Sequence, residues 1–97
     1  MVGNVIFEYD AEKSKWLRDC RGIGFEEIID YIEDGWALAI IRHPNQKAHP
    51  GQQIYEVAVD GYVFEVPFYE HEKKHHLKTL YRSRKATKKH LDRGTLL

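Results

Sequence analysis

Nine lysine and arginine side chains lie between Lys73 and the C-terminus, and Asp92 is the one acid among them. That segment therefore carries nine positive charges against one negative, a surplus of eight. The residues before it carry six basic against fourteen acidic side chains, a deficit of eight, so the formal net charge of zero is a cancellation. A block of one sign implies a polyanionic partner, and RNA is the expected one. Arg82 and Arg84 have the planar fork that grips phosphate oxygens in pairs, while Lys78, Lys85, Lys88 and Lys89 supply field and backbone contacts. Imidazole titrates near neutral pH and serves as acid or base. His71, His75, His76 and His90 all flank the arginines, and His76 and His90 stand beside Arg82 and Arg84 as the catalytic candidates.

Such a set can hold phosphate and move protons, the parts that RNA cleavage without a metal needs. A base takes the 2'-OH proton, an acid protonates the leaving 5'-oxygen, and cations hold the charge that builds on phosphorus. The plainer reading is a solvated basic face that binds nucleic acid, or docks on an acidic protein, without cutting anything. His71 and His75 also have the i, i+4 spacing of a shared metal ion. They fall in an expected turn, however, with Lys73 and Lys74 between them, so no metal and no cofactor is expected.

A chain of 97 residues, 42% of them hydrophobic, fits one domain, with an ordered part from about 5 to 91 and a tail at 92–97. Val5, Phe7 and Tyr9 alternate as in a strand, and Asp10 is a good N-cap for a helix whose Trp16, Leu17 and Cys20 share a face. That sharing predicts a buried thiol. After Gly22 and Gly24, the residues Phe25, Ile28, Ile29, Ile32 and Trp36 recur at helical spacing, with Glu26, Glu27, Asp30 and Glu33 opposite. Trp16, Trp36, Phe25 and Phe68 are expected in the core.

The apolar run Ala37 to Ile41 reads as a strand covered on both faces at the centre of a sheet. His43 to Gln53 is a polar loop. Asp60-Gly61 predicts a two-residue hairpin turn between Ile54–Val59 and Tyr62–Tyr69. On its second arm Tyr62, Phe64, Val66 and Phe68 point to the core, and Pro67 suggests a sheet edge or strand end. A turn over Glu70 to His75, a strand over Leu77 to Tyr81 and a basic helix capped by Ser83 and running to about Leu91 complete the order βααββββα. The expected fold is α+β: two layers, a mostly antiparallel sheet, two N-terminal helices packed on it and a short basic C-terminal helix.

Phe7-Glu8-Tyr9-Asp10 with Lys13 and Leu17, then Gly24-Phe25-Glu26-Glu27-Ile28, and later Arg84-Lys85-Ala86-Thr87-Lys88-Lys89, occur in order and at suitable spacing. Together they resemble the pattern of BrnT-type toxins, over roughly residues 5 to 91. The resemblance implies a RelE-like fold and a metal-independent endoribonuclease, the toxin of a type II toxin-antitoxin system. It also implies silencing by a ribbon-helix-helix antitoxin that binds DNA. The chain departs from that pattern in having Gln52-Gln53 where the family has a Glu-Arg pair, Lys78-Thr79 where it has an arginine, and His90 where it has a glutamate. Those departures keep open a relative that binds RNA without cleaving it.

Cys20 is the sole cysteine, so no disulfide closes within one chain, and the N-terminus has neither a basic start nor a long apolar run. A cytoplasmic protein with no membrane partner is expected.

Overall fold

A computed structural model describes residues 5–91. The described residues form three helices and a mostly antiparallel sheet of six strands. Strand β1 (Ile6–Glu8) leads to Asp10, whose carboxylate accepts the backbone N–H groups of Glu12 and Lys13 and opens helix α1 (Ala11–Arg21). Gly22, at φ 80°, closes that helix with its N–H on the Arg18 carbonyl. Helix α2 (Phe25–Tyr31) then widens into a π-type turn (Ile32–Trp36), and Gly35, at φ 95°, turns the chain into strand β2 (Ala37–Arg42).

Strands β3 (Gln53–Val59) and β4 (Tyr62–His71) form the expected hairpin around Asp60 and Gly61, both at positive φ. A second tight hairpin, which the sequence does not announce, follows: Glu72 and Lys73 adopt φ of 53° and 65° and join β4 to β5 (Lys74–Leu77). The expected turn at Glu70 to His75 thus shrinks to two residues. Strand β6 (Tyr81–Arg82) returns to β4, and Ser83 opens α3 (Arg84–Leu91), its hydroxyl accepting the Ala86 N–H. The expected single strand over Leu77 to Tyr81 is two strand ends with a link between them.

The sheet order is β1-β5-β4-β3-β2, with β6 also on β4 and only β1–β5 parallel. Strand β2 is therefore an edge rather than the centre. Leu38 and Ile40 are 39% and 46% exposed, because nothing among the described residues covers that side of the strand. Pro67 lies in central β4, contrary to expectation, at the point where the neighbour changes from β6 to β5. Its carbonyl accepts the Lys78 N–H, and its missing donor faces the same gap, so no ladder bond is lost.

Side-chain alternation sorts the sheet into two faces. Tyr55, Val57, Phe64, Val66 and Phe68 pack with Leu17, Phe25, Ile28 and Ile32 into one core beneath α1 and α2. The α1–α2 corner is tied by Ser14, fully buried, whose hydroxyl accepts the Phe25 N–H and donates to Glu26. Ile54, Glu56, Val63 and Glu65 project from the opposite face, where α3 meets β3 and β4. Trp16 and Trp36, expected in the core, are 51% and 52% exposed. Cys20 is exposed as well. Helix α1 buries only the stripe of Ser14 and Leu17, which leaves its neighbours at 16 and 20 outside.

Candidate functional site

The two-residue hairpin fixes which residues face each other across β3 and β4: Val59 opposes Tyr62, and counting back places Glu56 opposite Glu65. Two carboxylates thus share one face of the sheet, under the helix that carries the basic run. Glu56 is 1% exposed, yet His90 Nε2 lies 2.7 Å and Lys89 Nζ 2.9 Å from the same Oε1. Burial alone would raise the Glu56 pKa. The hydrogen bonds from His90 and Lys89 outweigh it and hold the carboxyl below its ordinary range. Burial and the adjacent Glu56 push Glu65 the other way, so of the two facing carboxyls Glu65 holds its proton more strongly than Glu56. Tyr81, opposite Glu65 on β6, is raised by burial and then by that carboxyl, and keeps its proton.

Glu56, Glu65 and Tyr81 line a cleft of about 320 Å³ together with Arg42, His43, Lys85 and Lys89, and His90 meets it through its bond to Glu56. An ionised carboxylate only accepts, so His90 donates through Nε2. The cleft thus carries a carboxylate bonded to His90, a second carboxyl with a raised pKa, a phenol and several cations. That set can move protons at a phosphodiester and hold its charge.

The structure does not gather the four residues expected to be catalytic. His90 joins the Glu56 pair. Arg82 lies on the other face, its guanidinium over the rings of Tyr62 and Phe64 at 5.1 and 5.9 Å, beside a separate pocket also lined by Arg21 and Gly22. The separation follows from strand alternation, which sends Tyr81 to the Glu65 side and Arg82 to the Phe64 side. Tyr62, expected in the core, is exposed and serves as the platform for Arg82.

Arg84 is exposed in the first turn of α3. His76 is distant in the sheet, on β5, stacked on Tyr69 at 4.7 Å. Of the lysines expected to bind phosphate, Lys85 and Lys89 rim the cleft, Lys88 is exposed on the same helix, and Lys78 lies over Tyr69. His71 and His75 point to opposite faces of the β4–β5 hairpin, so their spacing holds no shared ion.

Glu56 and Glu65 were missed in the sequence, where they counted only as part of the acidic half. The signal was present: each interrupts an apolar strand, Ile54 to Val59 and Tyr62 to Phe68, and the Asp60-Gly61 turn pairs them by counting alone.

Among the described residues no helix is long and apolar enough to cross a membrane. Comparison with protein-family models, with curated proteins and with solved structures gave no match.

Proposed function

We propose that this chain is a metal-independent endoribonuclease of the toxin type, acting at the Glu56–Glu65 cleft. One observation carries the reading: two facing carboxyls whose surroundings push their pKa values apart, beneath a rim of lysine and arginine. Such divided pairs assign acid and base roles at neutral pH. Glu56, ionised and bonded to His90, takes the 2'-OH proton. The freed 2'-oxygen attacks phosphorus, the 5'-oxygen leaves, and Glu65, in its acid form, supplies the proton. Arg42 and Lys85 hold the phosphate oxygens. The products are a 2',3'-cyclic phosphate and a 5'-hydroxyl.

The BrnT resemblance and the strand and helix order support a RelE-like toxin in the cytoplasm, silenced by a ribbon-helix-helix antitoxin. A second reading, RNA binding without cleavage, draws on the saturation of Glu56 by Lys89 and His90, which also suits a purely structural ion pair. Cleavage of single-stranded RNA in chelator separates the two. The enzyme yields cyclic-phosphate ends, and Glu65→Gln, which keeps the shape but loses the acid, slows cleavage roughly 100-fold or more. Salt-sensitive retention of RNA with no products favours the second reading.

A further inference from the structure

The cleft does not end at His43. His43 and Tyr81 also line a second cavity of about 330 Å³, which continues on to Lys13, Lys78, His49 and Gln52. In the wall of the second cavity the rings of His43 and His49 stack at 4.2 Å and 29°. The loop that carries them is closely tied. Gln46 Nε2 donates to the carbonyls of His43 and Gln52, the Gly51 N–H donates to Gln46 Oε1, and the His49 N–H reaches the Asn45 carbonyl. The Asn45 N–H donates to His43 Nδ1, which fixes that ring further. A surface loop held this firmly is a platform.

We infer that this second cavity is a nucleotide subsite beside the cleavage cleft. The His43–His49 stack takes the face of an unpaired base, and Lys13 and Lys78 hold the phosphate next to the one being cut. The ligand class is single-stranded RNA, because a base must leave its own stack to lie on the imidazoles, which a paired base does not do cheaply. The inference rests on the endoribonuclease reading for the identity of the neighbouring cleft. It adds residues from α1, the His43–Gln52 loop and the link after β5, none of them on the basic helix. Burial and the neighbouring His49 both lower the His43 pKa, which keeps the stack free of its own repulsion near neutral pH.

The test is fluorescence anisotropy of a short 2'-O-methyl RNA, which cannot be cut, titrated across salt concentration with the whole chain. The expected result has three parts. Wild type binds the single strand better than the same sequence as a duplex. Lys13→Gln with Lys78→Gln reduces the slope of log affinity against log salt by about 0.7 for each phosphate no longer neutralised. His49→Ala weakens binding roughly five-fold or more. Unchanged slope and affinity in these variants, with binding still abolished in Lys85→Gln, overturns the subsite and leaves the cleft. Equal binding of duplex overturns the single-strand assignment. No salt-sensitive binding by wild type overturns the endoribonuclease reading itself.

Discussion

At the scale of residues, the fold imposes protonation states that the sequence does not show. His75 stands on β5 between the rings of Phe7 and Phe68, and its Nδ1 lies 2.6 Å from the Tyr55 hydroxyl. Burial lowers its pKa, Glu70 at 3.7 Å opposes the shift, and His76 adds to it. The Tyr55 phenol is pushed up to about 12, chiefly by burial, so it is the donor of that bond and a neutral imidazole is the acceptor. The unfolded chain therefore binds a proton that the folded chain rejects. Stability rises with pH in this window, and the His75 contribution is lost as pH falls through the ordinary value of 6.5. The midpoint of thermal unfolding should drop between about pH 7 and about pH 5, and drop less in His75→Phe. His43 contributes in the same direction and remains in that variant. An identical pH slope in both proteins refutes the assignment.

At the scale of elements, the α1–α2 corner is the joint that sets one helix against the other. Gly22 and Gly24 look alike in the sequence, as two helix breakers, but the structure gives them different duties. Gly22 is at positive φ in open space, whereas a Cβ on Gly24 would lie 2.7 Å from Ser14 Oγ and 2.9 Å from the Ser14 carbonyl. Gly22→Ala should cost about 1 kcal/mol, the usual penalty for a left-handed alanine. Gly24→Ala should cost more, about 2–4 kcal/mol, because it breaks the buried Ser14 bonds to Phe25 and Glu26 as well. Chemical denaturation of the two variants orders them, and equal losses would show that the corner gives way easily.

The same contrast explains what the sequence discloses. Asp60-Gly61 is legible because a two-residue turn has few backbone solutions, and with it comes the register that pairs Glu56 with Glu65. The cap at Asp10 and the helix after Ser83 are legible for a similar reason, since each depends on neighbours in the chain. The place of β2 is not legible. An apolar run such as Ala37 to Ile41 reads alike at the centre and at the edge, and the difference lies in which strands arrive on either side. Trp16 and Trp36 fail in the same way: helical spacing says which residues share a face, and packing decides which face is covered. The catalytic set fails at Arg82 because two adjacent strand residues, Tyr81 and Arg82, are sent to opposite faces.

At the scale of the whole molecule, the acidic helix α2 and the basic helix α3 lie on opposite faces of the sheet. Glu26, Glu27 and Asp30 belong to α2 on one face, and Arg84, Lys85, Lys88 and Lys89 to α3 on the other. The least extent of the molecule is 27 Å, against a screening length of about 8 Å at physiological salt. A polyanion at α3 therefore responds to the basic face almost alone, although the chain as a whole is neutral with a pI near 7.0. The protein should be retained on immobilised heparin at its own isoelectric pH and released by salt. The lysines of α3 should not contribute equally. Lys89 already faces the buried Glu56 carboxylate at 2.9 Å, whereas Lys88 makes no ion pair among the described residues. Lys88→Gln should lower the eluting salt concentration more than Lys89→Gln, while Lys89→Gln should lower thermal stability more, because it removes a partner from a buried charge. If the two substitutions shift elution equally, the Glu56 carboxylate does not neutralise Lys89 in solution, and the division of the carboxyl pair into acid and base rests on the His90 bond alone.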